Sequence, residues 1–160
     1  MNELNKAIEA ITIENLNEED KQDLLRIFMV TKNHGVRNRI AMIFADLQYQ
    51  DAVPYIVKKI NDHDLFDYIG TLVYSVGYLN CSKYFLTFIR VLSEHEYEAR
   101  IEAYDIVEKY AGAISKPTRI KALKDLKGFQ AKEELAGVEK YENSRLHFID
   151  AAIKLLPAID

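Results

Sequence analysis

The chain has 160 residues, 49% hydrophobic and 29% charged, enough to bury a sizeable core as a soluble globular protein, and no apolar run reaches the roughly 18 residues that a membrane-spanning helix needs. A formal net charge of −4 disfavours a protein whose main business is neutralising nucleic-acid phosphates. The single cysteine, Cys81, excludes an intramolecular disulfide and a cysteine-built zinc site, and reads as a small buried apolar residue.

The amino end, "MNELNKAIEAITIENLNEEDK", carries early acids and lacks the basic start and cleavage site of a secretory signal, so cytoplasmic residence is expected. Asn17 can cap a helix whose first turn is acidic, which suits the helix dipole, and Leu24, Ile27, Phe28 and Thr31 form its apolar stripe. With "ELNKAIEAI" before it, residues 1–35 read as an N-terminal cap pair. From Val36, "VRNRIAMIFADLQY" sets Val36, Ile40, Ile43, Phe44 and Leu47 on one face of a helix. Asp51 can cap the next helix, Pro54 fits its first turn, and Val53, Ile56, Val57 and Ile60 make its stripe.

A shift of 29 residues carries this pair onto the next segment: Ile40 to Ile69, Ala41 to Gly70, Phe44 to Val73, Tyr49 to Tyr78, Tyr55 to Tyr84 and Ile60 to Ile89. A further shift of 34 carries Ile69 to Ala103, Val73 to Val107, Leu86 to Ile120 and Ile89 to Leu123, with Pro117 as the counterpart of Pro54. The extra residues fall around Ser93 to Tyr97, in a turn between units. The predicted units are therefore 36–62, 66–94 and 97–127, and a C-terminal cap over 129–160 completes the chain, with Leu146, Ile149, Ile153 and Leu156 in a stripe closed by Pro157. "FQAKEELAGVEKYE" is expected to be helical.

Motifs of common enzymes are absent: there is no Walker loop, dinucleotide fold, zinc protease or nucleophile elbow. Gly70 and Gly77 are expected inside a helix, where close helix approach explains them. Neither Asp62-His63-Asp64 nor Glu94-His95-Glu96 can hold a metal, because three consecutive side chains point apart. Both triplets read as surface turns, and Asp64 can cap the next helix, before "LFDYIG". Glu98, Glu102, Asp105 and Glu108 read as a solvated helix face. No catalytic residue, metal ligand or cofactor site is predicted.

The stretch "VRNRIAMIFADLQYQDAVPYIVKKIND", with its basic alanine-containing first helix, its Asp-Ala-Val-Pro and its Asn-Asp stop, resembles the HEAT repeats of the short bacterial, PBS-lyase type. That resemblance implies an all-α fold, an α-α superhelix or solenoid of antiparallel helix pairs in one domain. It also implies that the second helices line a concave binding surface. At about 100° per residue, Tyr55, Lys58, Lys59 and Asp62 then face outward. Their equivalents are Tyr84, Thr87, Phe88 and Val91 in the second unit and Thr118, Lys121, Ala122 and Asp125 in the third.

An apolar aromatic centre with a charged rim suits a protein partner, so the expected partner-binding residues are Tyr55, Lys58, Lys59, Tyr84, Thr87, Phe88, Val91 and Lys121. The lysines of "SKPTRIKALKDLKGFQAK", with Lys116, Arg119, Lys121, Lys124, Lys127 and Lys132, form the one strongly basic segment. The expected function is a non-enzymatic protein-binding module, in a narrower version an immunity or inhibitor protein. The alternative that the resemblance implies is a DNA-binding enzyme like the HEAT-like alkylpurine DNA glycosylases, with phycobilin lyases a fainter one. Acidic balance, the lack of Trp and a short chain stand against the DNA-binding reading.

Overall fold

Each helix begins and ends where local chemistry permits it. The computed structural model describes residues 3–156, apart from the side chains of Leu4, Asn5 and Glu9. Among the described residues there are nine α-helices and no strand: α1 Glu3–Glu9, α2 Glu18–Val30, α3 His34–Asp46, α4 Val53–Ile60, α5 Gly70–Gly77, α6 Phe85–Glu94, α7 Tyr97–Tyr110, α8 Lys116–Leu135 and α9 Arg145–Leu155. The all-α expectation is met. The chain divides into two compact units, Met1–Asn80 and Cys81–Asp160, and the division falls between α5 and α6.

In the first unit Asn17 caps α2 as expected, accepting from the Asp20 N–H while the Asp20 carboxylate accepts from the Asn17 N–H, both at 2.9 Å. The predicted stripes of α3 and α4 go inward: Val36, Ile40, Ile43 and Phe44, then Val53, Ile56, Val57 and Ile60, are all buried. They meet Leu24, Leu25 and Phe28 of α2 and Leu72, Val73 and Val76 of α5 in the unit's core. Phe28 meets Phe44 edge-on with ring centroids 6.0 Å apart, and Tyr49 packs on Phe44 at 5.5 Å. Each such buried side chain contributes about 1.5–3 kcal/mol of hydrophobic stabilisation.

The α3–α5 seam also holds a charge. Arg37, the fourth residue of α3, is buried, donates from Nη2 to the Tyr68 carbonyl at 2.6 Å, and grips Asn38 Oδ1 through Nε and Nη2. Asn38 in turn donates to Thr71 Oγ1 at 3.3 Å. Tyr68 lies two residues before α5, so the guanidinium fixes the start of that helix to α3. Burial pushes the Arg37 pKa down, but an arginine remains charged there.

Three details of this unit differ from expectation. Asp51 does not cap α4, because a 3-10 turn, Gln50–Ala52, precedes the helix and Ala52 occupies its N-cap; Pro54 does sit in the first turn. Asp62 rather than Asp64 is the cap after α4, accepting from the Asp64 N–H at 3.1 Å, with His63 exposed beside it. Gly70 and Gly77 are the two ends of α5 rather than its interior.

In the second unit α6 is the central element, packed against α7, α8 and α9, with Phe85, Phe88, Ile89, Val91 and Leu92 buried. Arg100, the fourth residue of α7, repeats the arrangement of Arg37. Its Nη1 donates to the Asn143 carbonyl at 3.2 Å, two residues before α9, and its Nη2 donates to the His95 carbonyl at 3.0 Å. Burial, and then the charge of Arg145, lowers its pKa. His95 is consequently buried, and the expectation that Glu94-His95-Glu96 is a surface turn is corrected: the end of α6 lies under Arg100.

Ser115 caps α8, with Pro117 in its first turn as expected. The helix does not stop near residue 127 but continues through Leu135, so "FQAKEEL" is helical and the residues after it are not. It closes in a Schellman motif, in which Val138 N–H bonds to the Glu133 carbonyl, Gly137 N–H bonds to the Glu134 carbonyl and Gly137 adopts φ +69°. Ser144 caps α9, and Leu146, Ile149 and Leu156 are buried; the expected closing residue, Pro157, lies outside the described residues. Cys81 is buried as expected, and burial is the main cause that pushes its thiol up to about 11.

Stability should respond in opposite directions at two glycines. A methyl group added at Gly137 meets nothing within 4 Å, so only the left-handed backbone opposes it, and Gly137→Ala is expected to lose about 1 kcal/mol in urea unfolding. Gly128, inside α8 and equally unobstructed, should instead gain roughly 0.5–1 kcal/mol as Gly128→Ala.

Asp150 of α9 ties down the α8–α9 connection: it accepts from Gln130 at 2.7 Å and pairs with Lys140. Burial pushes its carboxyl up, but the hydrogen bonds from Lys140 and Gln130 together with the charges of Lys140 and Lys154 outweigh that and hold it below the ordinary range. A depressed folded pKa gives stability that is present above the unfolded value of about 3.9 and is lost as pH falls through the folded one. Asp150→Asn should therefore be less stable than wild type at pH 7, and the gap should shrink below about pH 4, read from urea midpoints across pH.

Candidate partner-binding face

On α4, the stripe that fills the first unit's core leaves Tyr55 and Lys58 exposed and Lys59 half-buried, each on the outward side that the sequence predicts. The second unit behaves differently. Tyr84 and Thr87 are half-buried, while Phe88 and Val91 have 0% of their surface exposed. Phe88 and Val91 are therefore corrected from surface to core. The cause is the three helices that surround α6, which leave it a narrow outer strip carrying Leu86 and Arg90.

The third predicted helix is turned relative to its supposed equivalents. Ala122 and Leu126 are the buried residues of α8, whereas Ile120, the counterpart of Val57 and Leu86, is 55% exposed. The outward placement of Ala122 is corrected to core. A displacement of one residue along a helix is a rotation of about 100°, which brings the lysine-bearing side of α8 out.

That rotation builds a site the predicted row did not contain. An open groove of about 570 Å³ runs between α6 and α8, with Leu86, Gly128 and Phe129 as its apolar lining and Arg90, Lys124, Asp125 and Lys132 as its polar one. A second hollow of about 600 Å³, lined by Lys116, Pro117, Ile120, Lys121 and Lys124, adjoins it. The two share Lys124 and so form one strip that winds across the exposed side of α8, with Lys116 and Lys132 about 80° to either side of Lys124. From Lys116 to Lys132 the helix rises about 24 Å at 1.5 Å per residue.

Charge along the strip is unevenly satisfied. Lys121 Nζ lies 3.3 Å from Asp125, which neutralises the one carboxylate in the lining. Among the described residues no carboxylate lies within ion-pair distance of Lys116, Lys124 or Lys132. Arg119 is turned away, donating to the Ala111 carbonyl at 3.2 Å, and Lys127 is exposed outside both hollows. Of the expected partner-binding residues, only Lys121 belongs to this strip.

Gly128 is the residue in the strip whose presence packing does not explain. It weakens the middle of a 20-residue helix, and a side chain there would meet no neighbour within 4 Å. Its missing side chain leaves the groove open next to Phe129. The basic residues were visible in the sequence, but which of them border the two hollows depended on the rotation of α8.

No group of three or more His, Cys, Asp and Glu side chains among the described residues is placed to hold a metal ion, and no helix is long and apolar enough to cross a membrane. Glu102, its carboxyl pushed up by burial and then by Asp105, lies on α7 and lines neither hollow. Comparison of the chain with protein-family models, curated proteins and solved structures found no match.

Proposed function

We propose that the chain is a non-enzymatic protein-binding module, built as a small HEAT-like solenoid, whose binding face is the strip along α8. The supporting observation is the groove between α6 and α8: apolar side chains in its lining, Lys124 and Lys132 without a carboxylate partner among the described residues, and a glycine where a larger residue would stabilise the helix but fill the space. Binding surfaces of this kind place an apolar contact at the centre and charge around it. The solenoid reading is supported by the sequence repeat and by the packing of α3 on α5 and of α7 on α9, which relates successive first helices in each unit. Neutralisation of a partner protein, the immunity or inhibitor version, is consistent with a small acidic chain.

Lys124→Cys provides a test, because the native Cys81 is buried and its thiol is held protonated. A benzophenone coupled at position 124 and irradiated in native extract should give a protease-sensitive adduct, and the same label at Lys127→Cys should give at most a tenth of it. Nuclease-sensitive adducts at position 124, or equal labelling from both positions, would overturn the reading.

A further inference from the structure

We infer that the strip along α8 takes an acidic segment of its protein partner, a short peptide with carboxylates on either side of a leucine or aromatic side chain; this rests on the protein-binding reading above. The charge pattern supports it first. Lys116, Lys124 and Lys132 recur every eight residues along the strip, none has a carboxylate partner among the described residues, and the lining's own acid, Asp125, is already engaged by Lys121. The strip therefore offers unmatched positive charge on a chain whose net charge is −4. An incoming carboxylate gains charge-assisted hydrogen bonds there without displacing an internal partner.

The shape supports it next. Between the lysines the lining is apolar: Pro117 and Ile120 in one hollow, Leu86 and Phe129 in the other. A phosphodiester backbone would lay charge across this apolar floor and beside Asp125, whereas a peptide can alternate carboxylates with apolar side chains at the same spacing. A strip that rises about 24 Å while winding across α8 takes at least seven extended residues at about 3.3 Å each. At Gly128 the strip has no side chain, so a peptide main chain can approach the helix backbone closely. The strip thus selects for both charge and an apolar anchor.

The probe is a phage-displayed library of random 12-residue peptides, selected on the full chain and re-measured as synthetic fluorescent peptides by anisotropy. The selected peptides should carry at least two Asp or Glu residues flanking Leu, Phe or Trp. They should bind at least tenfold more weakly to Lys124→Glu/Lys132→Glu and to Gly128→Trp, and weaken severalfold between 50 and 500 mM salt. Lys127→Glu, outside the strip, should change affinity less than threefold. Helix content by circular dichroism and the urea midpoint establish that each variant is folded; at Gly128 a Cβ meets nothing within 4 Å and Trp favours the helix over glycine.

Three results would overturn the proposal. Selected peptides free of acids but lost on Gly128→Trp would end the acidic inference and leave the protein-binding reading standing. Peptides that bind Gly128→Trp as well as wild type would remove the strip from both. If single-stranded dT20 displaced the peptides and itself bound with the Lys124 and Lys132 dependence, the ligand would be a polyanion and both readings would fail.

Discussion

A guanidinium withdrawn from water at the fourth residue of a helix is the constraint on which both units of this protein depend. Arg37 on α3 and Arg100 on α7 each reach a main-chain carbonyl two residues ahead of another helix, Tyr68 before α5 and Asn143 before α9. Neither uses a carboxylate for these contacts. A buried cation is costly to desolvate, and with Arg37 Nη1 and Arg100 Nε left without partners, the bonds to main-chain carbonyls and to Asn38 are what offset that cost. The hydrophobic stripes bring the helices together, and the arginines fix where along its length each helix meets the next.

The same placement governs the surface. With Arg100 joining the α6–α7 turn to the start of α9, α6 is enclosed by α7, α8 and α9, and Leu86, Thr87, Arg90 and Glu94 are its half-exposed residues. α8 then packs through Ala122 and Leu126, two modest apolar residues, and presents Ile120 and its lysines outward. α8 packs on both α6 and α9. Its Gly137 closure and the Gln130 and Lys140 bonds to Asp150 fix its far end. The candidate binding strip is therefore a by-product of how α6 is covered.

Much of the local architecture was legible in the sequence because the signals were local. Asn17, Pro54 and Pro117 mark helix starts through the hydrogen bonds that a first turn lacks, and the stripes of α3 and α4 are set by helical spacing alone. The repeat even aligns Arg37 with Arg100, since the two shifts that carry α3 onto α7 carry one arginine onto the other. What the repeat obscured was the difference between copies. Analogy with Lys59 and Asp62 places Phe88 and Val91 outward, although "FLTFIRVL" is apolar around most of its circumference, the mark of a helix buried on several sides. The orientation of α8 was not encoded locally, because Ile120 and Leu123 compete with Ala122 and Leu126 for the core and the neighbouring helices decide. Gly128 was the missed signal: a glycine amid the basic segment, at a position where helix propensity argues for anything larger.

Urea unfolding of Arg37→Met and Arg100→Met tests the arginine constraint most directly, since methionine keeps much of the apolar volume and removes the donors together with the charge. Each variant is predicted to lose about 2 kcal/mol, because the Tyr68, Asn143 and His95 carbonyls are left without their donors at the helix seams. Methionine variants as stable as wild type, or more stable, would show that hydrophobic packing alone sets the register of these helices and would contradict the account.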